Sequence, residues 1–350
     1  MSSCCGRNWL PRPDRFRKTC QVCLPPSGGD MKIRIACFGA GYIAGRHLAA
    51  LAALPGVEIV GVADVQVERA QLYADRFGGR PYADWRVLLA AERPDAVYVC
   101  VPPFAHGEPE QALIEQGTPF FVEKPLSTGP ELPEQIGAQA AERNLLTSVG
   151  YHWRYLDTIE RAHEIARQNP PRLALGYWLD FVPPPSWWLQ RQASGGQMVE
   201  QTTHIFDLVR YLLGEPVRVF GAACRGGLQR FPEADIDAAS ATTLQFPNGA
   251  VGVIASACLL HYSHRIGLWL YAEHLVLECR ELALTIESPQ GNETFAPTAD
   301  PYVLEDRAFV HALQTGDRSV IRVPYAEALR THRLVMRAMA SAEQGEPLYV

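Results

Sequence analysis

The sequence predicts an α/β protein in two parts: a doubly wound parallel sheet, followed by an α+β domain with a large, mainly antiparallel open sheet. Three observations carry that reading. Strand and helix patterns alternate strictly from residue 32 to about 149, which means parallel βαβ units with right-handed crossovers. A glycine-rich turn joins the first strand to the first helix. Past residue 215 the pattern becomes a series of longer strands with "FPNG" between two of them, a hairpin signature of antiparallel pairing.

Each element follows from its period. "KIRIACFGAG" reads as a buried strand, "YIAGRHLAALAAL" as a helix, "VEIVGVAD" as a strand and "VERAQLYADRFG" as a helix. "DAVYVCVPP" is a strand, "HGEPEQALIEQG" a helix, "PFFVEKP" a strand, "ELPEQIGAQAAERN" a helix and "LLTSVGYHW" a strand. The first domain therefore spans 31–149 and the second 150–350. The second opens with a helix near 155–168, the strand "RLALGYWLDFV", a Pro/Trp loop "PPPSWW" and a helix beginning at "GGQMVEQTTHIFD". Six strands follow, "PVRVFGAAC", "AASATTLQF", "GAVGVIASACLL", "RIGLWLYAE", "HLVLECRE" and "LALTIES", and two helices near 306–314 and 325–343 close the chain.

At 350 residues with 47% hydrophobic and 20% charged, the chain can bury a sizeable core. A formal charge of −6 gives no general attraction to phosphate backbones or anionic lipid, so the expected partner is a small molecule and neither nucleic acid nor membrane. No apolar run reaches the length of a membrane span, and the N-terminus lacks an apolar h-region; a cytoplasmic location is expected. Residues 1–30, with five Lys or Arg and four Pro, read as a disordered tail, and Met31 directly before the first strand is the expected true start of translation. A chain starting at Met31 that failed to fold would refute that start. Cys37, Cys100, Cys224, Cys258 and Cys279 sit singly in apolar surroundings, as reduced cysteines do. The tail's "CQVC" beside Cys4 and Cys5 matches no standard zinc spacing, so no metal is expected.

"FGAGYIAGRH" puts Gly39, Gly41 and Ala44 at the G-x-G-x-x-G/A positions of a dinucleotide turn. Gly39 permits the turn, Gly41 lets backbone approach a pyrophosphate, and Ala44 lets the helix pack on the strand. Asp64 ends the second strand 19 residues after Gly45, where a carboxylate accepts ribose hydroxyls and repels a 2′-phosphate, favouring NAD over NADP; Arg69 moderates that preference. Asp64 also suits a helix N-cap before "VQVERA".

Lys124 in "VEKPL" lies at the C-terminal end of a parallel strand, where open α/β sheets place ligands; a surface Glu–Lys pair before a proline is the other reading. Pro102 and Pro103 turn the chain over the preceding strand end and bring His106 toward the same crevice. On a helix, Glu200, His204, Asp207 and Tyr211 share one narrow arc opposite an apolar face. His204 there could act as general acid or base with Glu200 orienting it, or the stripe could face water as an i, i+4 pair.

Taken in order, "GAGYIAGRH", "VAD", "VCVPPFAHGE", "GTPFFVEKPLS", "VGYHWRY", "WW" before "SGG", and "TTHIFDLVRYLLGE" resemble the Gfo/Idh/MocA family of dinucleotide-dependent oxidoreductases over residues 31 to about 340. The resemblance implies a Rossmann domain, then a substrate domain whose open sheet serves as a subunit interface, hence a homo-oligomer, dimer or tetramer. It implies hydride transfer between nicotinamide and a hydroxyl or carbonyl of a sugar, polyol or cyclitol, without a metal. Lys124 matches the lysine of the family's E-K-P motif that contacts the reacting hydroxyl, and His204 the histidine proposed as proton acceptor. The implied cofactor contacts are Gly39, Gly41, Tyr42, Ile43 and Ala44 of the turn, Asp64, and Pro102, His106, Glu123 and Lys124 at the next strand ends. Tyr151, Trp153, Arg154, Trp188 and His204 are the expected substrate contacts, aromatic faces suiting a sugar's C–H faces and Arg154 its hydroxyls or a carboxylate; core packing is the other reading for the tryptophans. The chain departs from D-x-G-x-H, reading "EQTTH" with Glu200 and Thr202, so the usual aspartate role and substrate do not carry over. A dinucleotide-binding sensor without catalysis is the alternative; the substrate's identity, its stereochemistry and the direction of reaction are not encoded legibly.

Overall fold

The computed structural model describes residues 32–350; the tail, its cysteines and the Met31 start lie outside them. The first part alternates as its apolar runs demand: β1 (Ile33–Phe38), α1 (Tyr42–Ala52), β2 (Val57–Ala63), α2 (Val67–Phe77), β3 (Arg80–Tyr82), α3 (Trp85–Glu92), β4 (Ala96–Val99), α4 (Glu108–Gln116), β5 (Phe120–Val122), α5 (Glu131–Glu142) and β6 (Thr147–Val149). The six strands pair in parallel in the order β3-β2-β1-β4-β5-β6. Chain direction across the sheet reverses between β1 and β4, and ligands of such sheets sit outside the strand ends at that switch.

The second part contains α6 (Asp157–Gln168), β7 (Leu173–Phe181), α7 (Arg191–Ser194), α8 (Gln197–Glu200), α9 (Thr203–Leu213), then β8 (Arg218–Arg225), β9 (Asp237–Gln245), β10 (Val251–Leu260), β11 (Arg265–Ala272), β12 (Leu275–Arg280), β13 (Ala283–Ser288) and β14 (Gly291–Phe295). α10 (Pro301–Thr315), α11 (Tyr325–Gln344) and β15 (Leu348–Tyr349) follow. Nine strands form one sheet, ordered β14-β13-β12-β11-β7-β10-β9-β8-β15. Every neighbour is antiparallel except β7 and β10. The "FPNG" turn closes the β9–β10 hairpin, with the Phe246 N–H donating to the Ala250 carbonyl at 3.0 Å.

Period 2 sorts the large sheet's faces. Ala174, Ile254, Leu268, Leu277 and Leu284 pack under α6, α9 and α11. On the opposite face Phe220, Val251 and Leu259 stay exposed, and no described element covers it. α10 returns to the parallel sheet, where Phe309 and Val310 join Ile35, Tyr98 and Phe121. It starts at Pro301, earlier than its periodicity suggests, because Asp300 caps it by accepting the Tyr302 N–H.

Two expectations change. The single helix expected from "GGQMVEQTTHIFD" onward is two, α8 and α9, separated at Gln201–Thr202; the paired β-branched Thr202 and Thr203 weaken continuous helix there. Cys224 is exposed, while Cys37, Cys100, Cys258 and Cys279 are buried thiols. Among the described residues, no helix is long and apolar enough to cross a membrane.

Candidate active site

At the switch point the glycine turn is shaped for an anion. Gly39 has φ +91, and a Cβ there would lie 2.3 Å from the Cys100 carbonyl oxygen, so only glycine fits. A Cβ on Gly41 would meet nothing within 4 Å: the turn opens outward at that point. Gly41 is also the N-cap of α1, with no side-chain cap and no acidic residue in the first turn. The helix's first N–H groups and its positive dipole end are thus free for a phosphate. Tyr42 is exposed at the opening, Ile43 is half-buried against the sheet and Ala44 is fully buried.

Asp64 lies just past β2. One carboxylate oxygen accepts the Ala40 N–H and the other the Gln66 N–H, both at 2.8 Å. The side chain therefore bridges the glycine turn and the approach to α2, but it does not cap that helix, whose N-cap is Gln66 without a side-chain cap bond. Each carboxylate oxygen keeps a lone pair for a hydroxyl donor.

The next strand ends supply the chemistry. Pro102 precedes a tight turn at Pro103–Ala105. His106 is buried, its Nδ1 on Glu110 and its Nε2 without a partner. After β5, Glu123 turns inward and Lys124 outward, so the pair is not a surface ion pair. The Lys124 ammonium donates to the Glu200 carbonyl at 2.8 Å and to Glu200 Oε1 at 3.1 Å. Glu200 Oε2 accepts the Trp188 indole N–H at 2.9 Å, so both oxygens of this carboxylate are engaged.

His204 sits one turn beyond Glu200, only 5% exposed, which overturns the solvated-stripe reading. Its ring meets the Tyr151 and His152 rings edge-on at 5.7 and 5.0 Å and stacks on Trp178 at 5.7 Å. Tyr151 is fixed in turn by a 2.8 Å hydrogen bond between its hydroxyl and Thr203 Oγ1. Nδ1 of His204 is buried without a partner. Burial, then the Lys124 charge, then His152 hold its pKa well below the ordinary histidine value, so the ring is neutral near pH 7 and able to accept a proton.

Two expected substrate contacts lie elsewhere. Arg154 is buried with its guanidinium committed, two 2.7 Å bonds to Asp207 and a 3.1 Å contact to Glu327. A buried cation needs such partners, and little of it remains for a ligand. Trp153 packs in the core with Leu156, Ile159 and Phe206. Conversely, periodicity did not single out Trp178 or Asp180, which alternate on the helix-covered face of β7. Asp180 is buried with Oδ1 unpartnered, between Trp178 on His204 and Val182, which packs beside Trp188. Only the out-of-pattern aspartate in an apolar strand could have signalled it.

Behind Lys124 stands a buried ionisable group. His47 bonds Asp306 through Nδ1 at 2.8 Å and Glu123 through Nε2 at 3.0 Å. Potential ligand atoms of His47, Glu123 and Glu305 all lie within 4.8 Å of one another. Both ring nitrogens of His47 are already bonded to carboxylates, so His47, Asp306 and Glu123 form a hydrogen-bonded network with Glu305 unbonded beside it.

A family model described as "Oxidoreductase family, NAD-binding Rossmann fold" matches residues 33–151, and the GFO/IDH/MocA C-terminal domain matches residues 168–278. Among curated proteins, scyllo-inositol 2-dehydrogenase (NAD(+)) of Bacillus subtilis is 29% identical over 247 residues, covering 68% of this chain and 70% of that one. Myo-inositol 2-dehydrogenase of Thermotoga maritima is 25% identical over 305 residues, covering 81% and 89%. A solved levoglucosan dehydrogenase in complex with NADH superposes with a TM-score of 0.83 over 91% of this chain and 99% of its own, at 20% identity.

Proposed function

This chain belongs to the Gfo/Idh/MocA family of NAD-binding Rossmann-fold oxidoreductases, and on that premise we propose that it moves hydride between NAD and a secondary hydroxyl of a neutral sugar, polyol or cyclitol. The observation that carries the reading is the Lys124 ammonium held on Glu200 beside a buried, neutral His204, at the strand ends that also bear the glycine turn.

In the oxidation direction Lys124 meets the substrate oxygen and stabilises the alkoxide as it forms. His204 takes the hydroxyl proton on Nε2, since Nδ1 is sealed. Glu200 holds the ammonium at a fixed place and is held by Trp188, which makes it the lysine's positioning residue. The first turn of α1 and Asp64 would hold the dinucleotide, which would supply the hydride acceptor. Asp180 takes hydrogen bonds from substrate hydroxyls, and with Lys124 and Arg154 both paired, a neutral polyhydroxy substrate suits the crevice better than a sugar acid. The reverse reaction uses the same groups with the proton returned from His204.

In this reading residues 33–149 carry the cofactor and 150–350 the substrate, with α10 lent back to the cofactor half. The uncovered sheet face around Phe220, Val251 and Leu259 is the surface a second copy would cover, and the protein acts in the cytoplasm.

The test is NADH formation, followed by absorbance, from NAD and a panel of sugars, inositols and sugar acids, with NADP in parallel. Turnover of a neutral polyol with NAD that is lost in Lys124→Ala/His204→Ala supports the proposal. No turnover across the panel, with dinucleotide still bound, would favour a non-catalytic sensor.

A further inference from the structure

The buried group behind Lys124 is not needed for any proton or hydride movement in the crevice, yet it touches the lysine's own backbone. A continuous path runs from Asp306 Oδ1 to His47 Nδ1 at 2.8 Å, from His47 Nε2 to Glu123 Oε1 at 3.0 Å, and from Glu123 Oε2 to the Lys124 N–H at 3.1 Å. We propose that His47 is a positioning residue for Lys124, acting through Glu123, so that one imidazole ties the lysine's backbone to the cofactor helix α1 and to α10. The inference rests on Lys124 being the group that meets the reacting oxygen.

Four features give the path its rigidity. His47 is fully buried, and its ring is hemmed by Phe121, Tyr98 and Tyr302 at 4.9, 5.4 and 5.9 Å between centroids. Glu123 lies in space that exists only because Gly150 lacks a side chain: a Cβ there would lie 2.4 Å from Glu123 Oε1. Burial alone would lower the His47 pKa, but the charges and hydrogen bonds of Asp306 and Glu123 outweigh it and raise it well above the ordinary value. Glu305, whose carboxyl oxygens find no partner, has its pKa raised well above the usual range, first by burial and then by Glu123 and Asp306 against the opposing pull of His47. It is therefore the neutral acid of the group.

Removing the imidazole strands Glu123 as an unpaired buried carboxylate. It must then take up a proton or swing toward another donor, and in either case the carboxylate that accepts the Lys124 N–H is no longer anchored by His47. Misplacing a catalytic group by about 1 Å can cost about 10²-fold in rate. Because His47 lies on the helix whose first turn is shaped for phosphate, cofactor seating and lysine placement share one rigid element.

The experiment is a double-mutant cycle with His47→Phe and Glu123→Gln, read in kcat and KM and in a signal that needs no turnover. Lys18, Lys32 and Lys124 are the chain's lysines, so reductive methylation with 13C-formaldehyde gives a sparse NMR spectrum in which Lys124 is assigned by Lys124→Arg. His47→Phe is expected to lower kcat about 10- to 100-fold with KM for the substrate within about twofold, and to shift the Lys124 resonance. Added to Glu123→Gln, it should cost less than about twofold more, since both cut one path. Where the phenylalanine prevents folding, His47→Gln, which keeps a donor for one carboxylate only, carries the same cycle with a loss of about 3- to 10-fold. Full kcat with an unmoved Lys124 signal in a folded His47 variant would overturn the proposal, as would losses that simply multiply. Wild-type turnover in Lys124→Ala would instead overturn the lysine's role, and the NMR arm would still judge the tie between His47 and Lys124.

Discussion

His47 and His204 are both buried among aromatic rings, one behind Lys124 and one in front of it, and their affinities for a proton are pushed in opposite directions. His47 lies between two carboxylates and holds its proton well above the ordinary range. His204 has an unpartnered Nδ1 and the Lys124 charge nearby, and it gives its proton up well below that range. Burial alone would depress both, so the partners decide the outcome. The charged ring is built into the framework and the neutral ring is left able to react.

The comparison is broken most directly by removing Lys124, whose charge acts on His204 and whose backbone His47 reaches through Glu123. Lys124→Ala should lower kcat/KM by about 10³-fold, the scale on which positioned polar groups act on a transition state, as read by steady-state NADH formation. His204→Asn should cost about 10²-fold or more while leaving NADH binding, measured by fluorescence, close to wild type.

Stability should rank the two histidines the other way round. His47→Phe leaves two buried carboxylates without their cation and should cost about 3–5 kcal/mol in urea unfolding; His204→Phe removes only a neutral ring whose Nδ1 has no partner and should cost about 1 kcal/mol or less. The pH dependence separates them by sign. The contribution of His47, whose folded pKa is raised, is full below about pH 6.5 and is lost as pH climbs through its folded value. That of His204, whose folded pKa is depressed, is present above about pH 6.5 and is lost as pH falls through its folded value. Unfolding midpoints of the two variants and the wild type across pH 4–10, on the scale where these groups titrate, would check both.

Smaller effects sharpen the picture at its edges. Asp64→Ala should raise KM for NAD severalfold and narrow its advantage over NADP, by removing the hydroxyl acceptor and the repulsion of a 2′-phosphate. Trp188→Phe, which frees only Glu200 Oε2, should lower kcat by a few-fold at about 1 kcal/mol for one hydrogen bond.

Local pattern carried most of the fold. Apolar runs such as "IRIACF" and "AVYV" can only be strands buried on both faces, and the alternation between them leaves little but a parallel sheet. β3 and α3 escaped notice because Arg80–Tyr82 is three residues at a sheet edge, without an apolar run. The parallel pairing of β7 with β10 depends on where distant strands meet, which no local period encodes.

The site was legible where one residue type has one use. Gly39 and Gly41 are explained by a turn and by open space, and Lys124 and His204 by the order of motifs around them. In the sequence Arg154, beside aromatic residues, looks available to a substrate. Its partner Asp207 shares the helical stripe of His204, and only packing shows that Asp207 turns to meet the guanidinium. His47 gave no signal at all, being one histidine on an apolar helix whose partners lie 76 and 259 residues away.

The division of labour between Lys124 and His204 is tested most directly by kcat/KM against pH for the wild type and His204→Asn with a substrate that the panel identifies. The wild type should show an acid limb with an apparent pKa below 6.5, reflecting a proton acceptor that burial and Lys124 keep neutral. In His204→Asn the rate should be lower by about 10²-fold and that limb absent. A His204→Asn enzyme with the wild-type rate and the same acid limb would contradict the assignment of His204 as the proton acceptor.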